Sequence, residues 1–310
     1  MIRMTIERLE GIIPALFTPF KPNEEVDEDS LSNLINYLID AGIHGLWVLG
    51  TSSESSSLSI KECKRYYKFI IEEVKDRVPC VAAVSSSSTK VCVDLAKYVE
   101  DVGYEAVAAT PPFYLQSNPQ SLAEHYRTLS ESVNIPLAIY DNSSATHHTV
   151  SEPFVAEMNR EIGIKMVKVG GDSRKTPLAK CINLKKILED EVNILVASAH
   201  FAYYAFTMGV ADGTISALLN VVPETFVEMY SAIKIGDIEK AREIQYSKIL
   251  PLGFLFFLLD TSETVAMAMG KTILKWRGVI ESETVRKPLS PLNEWQINYL
   301  RSMAEYTGII

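Results

Sequence analysis

Cysteine and histidine are scarce in this chain, four and five among 310 residues, and neither type clusters. Cys63, Cys80, Cys92 and Cys181 form no CxxC pair and have no zinc-ligand spacing, which excludes a zinc ribbon or a thioredoxin-type redox motif. They read as small buried apolar residues of a protein kept in a reducing compartment. No carboxylate cluster has metal-ligand spacing, so no metal is expected. No basic block or stripe relieves a formal net charge of −9, and nucleic acid is therefore not the expected partner. Long hydrophobic runs are missing too. The greasiest stretch, "ILPLGFLFFLL" (249–259), contains a proline and falls well short of the ~20 residues that span a bilayer. A packed helix or a subunit contact is the better expectation for it. The opening "MIRMTIERLEG" is charged and lacks the apolar core of a signal peptide. A soluble cytoplasmic protein is expected.

What the chain does have is a regular alternation. Short apolar runs, rich in β-branched residues, read as strands at 12–17, 45–50, 80–84, 106–110, 136–141, 164–169, 193–198 and 213–218. Between them lie stretches of helical periodicity, such as "DSLSNLINYLIDAG" (29–42) and "SSTKVCVDLAKYVEDVG" (87–103), each closing on a glycine. Eight strands, each followed by a helix, predict an α/β fold, the (β/α)8 TIM barrel. A doubly wound open sheet is the alternative, but the first strand–helix junction has no Gly-x-Gly-x-x-Gly phosphate loop. Past residue 236 the strand signals stop and three helical segments follow. The expected organisation is a barrel over 1–236 carrying the site and a C-terminal helical domain over 237–310.

Barrels of this kind do their chemistry at the C-terminal ends of the strands. There the sequence places "LGTSSES" after strand two, "TPPFY" after strand four, "IYD" at the end of strand five, and "IGIKMVKVGG" (162–171) as strand six. Two lysines in a buried strand are unusual, because an uncompensated charge is costly there. Lys165 and Lys168 are an odd number apart, so they point to opposite faces and only one can face a given interior. A lysine desolvated among apolar residues has a lowered pKa and can attack a ketone to give an imine. That imine is an electron sink, a tyrosine can shuttle protons beside it, and a Thr/Ser turn can offer N–H groups to a carboxylate. The set suits 2-oxo acids such as pyruvate, and because imine chemistry of this kind needs no organic cofactor, none is expected. Taken singly, each residue has an ordinary structural explanation; the joint placement carries the reading.

Several stretches resemble one family. "GIIPALFTPF" (11–20), "AGIHGLWVLGTSSE" (41–54), "ATPPFY" (109–114), "IPLAIYD" (135–141), "ADGTISALLN" (211–220) and "ETVRKPLSPL" (283–292) are similar to the dihydrodipicolinate synthase / N-acetylneuraminate lyase superfamily of Schiff-base-forming class I aldolases. The likeness covers nearly the whole chain. It implies Lys168 as the Schiff-base lysine, since a gapless match from "IYD" reaches 168 and not 165. Inward Lys168 should then share its face with Met166 and Ile164, with Lys165 toward the helices. The resemblance further implies Tyr140 as proton relay and Thr51 and Ser52 as holders of the pyruvate carboxylate. It gives the backbone carbonyl of Ile215 a place in the pocket. Tyr114 matches a tyrosine that reaches into a neighbour's site, in an assembly commonly tetrameric, so a homo-oligomer, tetramer or dimer, is implied.

Departures from the family pattern shape the remaining expectations. Ser53 stands where a glycine is usual, at a cost if the backbone there needs a positive φ. Serines likewise replace glycines after strand three. Ala145 occupies the place of the arginine with which synthase members clamp the second substrate's carboxylate, and alanine cannot rebuild that clamp. His147 and His148 follow, and read as exposed loop residues. His200 stands where a lyase aspartate would, in an unusually aromatic "ASAHFAYY", as a candidate substrate-binding contact to an acceptor. The expected function is thus a pyruvate-dependent aldolase or lyase of the 2-keto-3-deoxy sugar-acid type, acting on pyruvate and an aldehyde. The alternatives are 4-hydroxy-tetrahydrodipicolinate synthase and a non-catalytic oxo-acid-binding relative.

Overall fold

Eight strands only three or four residues long organise the chain: β1 (Gly11–Pro14), β2 (Leu46–Val48), β3 (Cys80–Ala83), β4 (Ala106–Ala109), β5 (Leu137–Tyr140), β6 (Met166–Val169), β7 (Asn193–Val196) and β8 (Gly213–Ser216). The structure is a computed structural model and describes residues 9–172, 174–253 and 263–310. All strand pairs are parallel, in the order β1-β8-β7-β6-β5-β4-β3-β2. The row closes on itself, because Ala15 bridges Trp47 and the Leu16 N–H donates to the Trp47 carbonyl at 3.0 Å. The result is the (β/α)8 barrel, with helices α1 (Glu28–Asp40), α2 (Ile60–Val74), α3 (Thr89–Val102), α4 (Pro119–Ser132), short α5 (Ser143–Thr146), α6 (Glu152–Ile162), α7 (Pro177–Leu188), α8 (Ala199–Thr207) and α9 (Pro223–Lys234) filling the connections.

Both faces of each strand are buried, and they bury different things. Leu46, Val48, Val107, Leu137, Ile139, Val167, Val169, Ile194 and Val196 join the large cluster under the helices. Alternate residues point inward and form a separate cluster that includes Ile13, Trp47, Tyr140, Met166, Leu195 and Ile215. On strands β3 to β5 the inward positions Ala83, Ala106, Ala108 and Ala138 are small. An interior packs to constant density, so small residues on one wall are the space that Trp47, Tyr140 and Lys168 fill from the other.

The helix ends follow local rules. Asp27 caps α1 by accepting from the Ser30 N–H, and Ser59 and Glu62 form a capping box on α2. The glycine expected at the end of α3 is Gly103, at φ 112°. Beyond α9 the chain is helical again in α10 (Ile238–Ile244), which continues through a wider turn at Gln245–Ile249, and in α11 (Glu263–Trp276) and α12 (Glu294–Tyr306). Most of the apolar run 249–259 lies outside the described residues. Among the described residues no helix is long and apolar enough to cross a membrane.

Candidate active site

The alternation along β6 decides between the two lysines. Lys168 is buried on the inward face beside Met166, directly across from Tyr140 on β5, while Lys165 precedes the strand and is exposed. The third residue expected on that face, Ile164, also precedes the strand and packs outward under the helices. The Lys168 Nζ stands 3.9 Å from the centre of the Tyr140 ring and 5.0 Å from that of Trp47. Trp47 meets Tyr140 edge to face, with centroids 5.5 Å apart. These π-faces are the amine's partial compensation for its loss of water. A cavity of about 250 Å3 opens over it at the C-terminal end of the barrel, lined by Thr51, Ser52, Tyr140, Lys168 and Ile215 among others.

Thr51 and Ser52 reach that cavity from a tight 3-10 turn, Thr51–Ser53, between two left-handed residues, Leu49 (φ 54°) and Glu54 (φ 55°). The turn's own hydrogen bonds use the N–H groups of Ser53 and Glu54, while Thr51 and Ser52 both line the cavity. Ser53 itself is not at positive φ, contrary to the concern raised by its replacing a glycine. It is fully buried, donates its hydroxyl to the Leu16 carbonyl, and accepts from Thr18 Oγ1 at 2.8 Å through its own carbonyl. Serine here pins the turn to the end of β1. A second restraint comes from far along the chain. Glu54 is buried and pairs with the equally buried Lys271 of α11, while its other oxygen accepts from the Arg286 N–H at 2.7 Å. Lys271 also donates to the Thr284 carbonyl at 2.9 Å and sits 4.4 Å over the Phe20 ring. Burial pulls the Lys271 amine down to about 8 against the pull of Glu54.

The Tyr140 hydroxyl and Thr51 Oγ1 are hydrogen-bonded at 3.0 Å. Asn142 Nδ2 donates to both, at 2.9 Å to Thr51 and 3.3 Å to Tyr140. The sequence reading missed Asn142, although it lies two residues beyond Tyr140 and so on the same face by strand alternation. It also missed Trp47, legible by the same count on β2. Next to Asn142, Asp141 is buried and paired with Lys180 of α7; burial pushes its carboxyl up to about 6 even with that ammonium beside it.

Two expected residues stand elsewhere. Tyr114 is 92 % exposed in the β4–α4 loop, at φ 77°, and is not among the residues lining the cavities at the barrel's C-terminal end. His200, in the first turn of α8, does not line the cavity and packs against Gly253, where an added Cβ would collide with its ring; Gln245 Nε2 donates to its carbonyl at 3.0 Å. It is a packed histidine, its pKa lowered by burial. Of the two loop histidines, His147 is exposed but His148 is buried and accepts from the Ser117 N–H at 3.0 Å, bracing the loop that carries Tyr114. A second cavity of about 230 Å3 shares Thr51 and Tyr140 with the first. Its lining includes Ser55, Ser85, Thr110, Phe113 and Ala145. Among the described residues Lys168 is the only basic side chain lining either cavity.

A closed parallel barrel with a strand-six amine under a tyrosine, opening beside a Thr/Ser turn, defines the class of lysine-dependent, imine-forming barrels. The chain belongs to the dihydrodipicolinate synthetase family, which it matches over residues 8–306. A 4-hydroxy-tetrahydrodipicolinate synthase of Methanocaldococcus jannaschii is 32% identical over 303 residues, covering 97% of this chain and 99% of the relative. A solved dihydrodipicolinate synthase is 31% identical with a TM-score of 0.87, covering 97% of this chain and 100% of that one. Another, from Acinetobacter baumannii and complexed with pyruvate, is 26% identical with a TM-score of 0.87, covering 97% and 100%. The protein is an enzyme, a carbon–carbon lyase of the pyruvate-dependent Schiff-base class. The non-catalytic expectation is set aside.

Proposed function

We propose that Lys168 attacks the ketone of pyruvate and, with loss of water, forms the imine on which the carbon–carbon bond is made or broken. The observation that carries this is the Lys168 amine 3.9 Å over the Tyr140 ring at the floor of the end cavity. The Thr51 and Ser52 N–H and hydroxyl groups take the carboxylate, and the carbonyl of Ile215 lines the opposite wall. Tyr140, in contact with Thr51 and Asn142, moves the proton that leaves C3 as the imine becomes an enamine. The enamine then adds to an aldehyde, and water releases the product from Lys168. Incubation with pyruvate and borohydride, followed by peptide mass spectrometry, tests this. A reduced adduct on Lys168 is expected; an adduct on Lys165, or none, sinks the assignment.

For the second substrate, the names of the curated relatives favour the 4-hydroxy-tetrahydrodipicolinate synthase reaction over the sugar-acid aldolase first expected from the sequence. One observation keeps the second reading in play. Ala145 lines the cavity beside Tyr140, with hydroxyl-bearing Ser55, Ser85 and Thr110 and no basic group, a lining suited to an uncharged, hydroxylated aldehyde rather than to a carboxylate. Rates of pyruvate consumption with aspartate semialdehyde and with glyceraldehyde, side by side, separate the two.

The exposed Tyr114 suits a homo-oligomer in which it completes a neighbouring copy's site at Thr51. The four buried free thiols suit a reducing cytoplasmic setting.

A further inference from the structure

The loops after β5 and β6 are tied together by a buried ion pair that the proposed chemistry leaves unused. Lys180, on the barrel side of α7, donates to the Asp141 carboxylate and, at 3.0 Å, to the Val150 carbonyl; the Asp172 carboxylate is 3.7 Å away. These partners come from both loops: Asp141 and Val150 bracket the segment after β5, and Asp172 follows β6. Asp141 also grips the strand of the reactive lysine through its main chain. Its N–H donates to the Lys168 carbonyl at 2.9 Å, and its carbonyl accepts from the Gly170 N–H at 3.1 Å. The approach is so close that a Cβ on Gly170 would lie 2.4 Å from the Asp141 carbonyl oxygen. A further tie, Ser143 Oγ to the Gly171 carbonyl at 2.7 Å, joins the same two loops. Asn142, which donates to both Thr51 and Tyr140, stands between Asp141 and Ser143.

A fully buried ion pair is a poor device for stability alone, since apolar residues of similar volume serve as well or better. What it supplies is one fixed arrangement of its neighbours. We infer that Lys180 and Asp141 are a positioning pair: they hold the β5 loop so that Asn142 aims the Tyr140 hydroxyl at the carbon attached to Lys168. The inference rests on Lys168 being the imine-forming residue. A displacement of about 1 Å in such an arrangement costs on the order of a hundredfold in rate.

Proton transfer can be read without knowing the aldehyde, as the exchange of pyruvate methyl protons for deuterium in D2O followed by NMR. Lys180→Met alone leaves a buried carboxylate unpaired, so the informative variant is Asp141→Asn/Lys180→Met, which removes both charges. That double variant is expected to keep its Tm and its borohydride-trapped adduct on Lys168, with KM for pyruvate near that of the unmutated protein. Its maximal exchange rate should fall by roughly 10- to 100-fold. Lys180→Arg, which keeps a donor for Asp141, should regain part of that rate. An unchanged exchange rate in the folded double variant overturns the inference. So does loss of the adduct, or failure of the double variant to fold, because the pair would then govern imine formation or the fold itself. No adduct in the unmutated protein overturns the imine reading and this role together, and is told apart by being read without any substitution.

Discussion

Two lysines three positions apart have the same chemistry, and only the direction of the side chain separates them. Lys168 faces aromatic rings in a closed space, and Lys165 faces water. The same distinction governs Tyr140, whose ring supports the amine while its hydroxyl is held by Thr51 and Asn142. Tyr140→Phe keeps the ring and removes the hydroxyl; it should lower kcat by about 10^2- to 10^4-fold with pyruvate binding little changed, as steady-state kinetics would reveal. His125 offers a pH test. It is buried against Thr89, with Nδ1 and Oγ1 2.9 Å apart, and burial lowers its pKa to about 4. The unfolded chain takes up that proton near pH 6.5, so the stability from keeping His125 neutral is complete above that value and drains away toward pH 4. A loss of about 2–3 kcal/mol over that window is expected, flattened in His125→Gln when urea denaturation is repeated at each pH. At this scale strand-end position drew attention to Thr51, Ser52, Tyr140 and the two lysines, and alternation set Lys165 and Lys168 on opposite faces, but the choice of Lys168 and the place given to Ile215 came from resemblance to the family. The sequence was not legible where a residue's place depends on what packs against it. His200 meets Gly253, Asp141 meets Lys180, and no periodicity announces either contact.

The turn Thr51–Ser53 shows how an element too short to stabilise itself is held. Three residues cannot fix their own geometry against chain entropy, so the turn is anchored by Ser53 on the β1 side and by Glu54 on Lys271 behind. Lys271→Met strands a buried carboxylate and should cost about 3–5 kcal/mol in denaturant unfolding. Lys271→Met/Glu54→Gln should recover much of the loss in stability while leaving the turn less firmly aimed, seen as a raised KM for pyruvate. The eight strands were legible because each is an apolar run bounded by polar or glycine residues, and each observed strand falls within a predicted run or overlaps it. The 3-10 turn and the four-residue helix Ser143–Thr146 were not, since neither is long enough to show a period.

In the whole molecule, Tyr114 is the residue that a single chain does not explain. Its ring lies almost fully in water, on a backbone at a positive φ that is costly for a residue other than glycine. Tyr114→Phe and Thr51→Val subunits, each weak alone, should regain activity when mixed under subunit exchange. No recovery would count against a shared site. An assembly was suggested by the sequence only through resemblance, because nothing in the pattern of one chain records what meets it from another.

The Glu54–Lys271 pair has a consequence in time. Its two members are 217 residues apart, and a ribosome adding about 5–20 residues per second needs roughly 10–40 s to pass from one to the other. Until then the nascent turn carries its carboxylate without the ammonium that will bury it, even though β8, which closes the barrel against β1, is made earlier. The cavity over Lys168 is therefore among the last parts of the protein to be finished, since its lining runs from Ala15 to Met267.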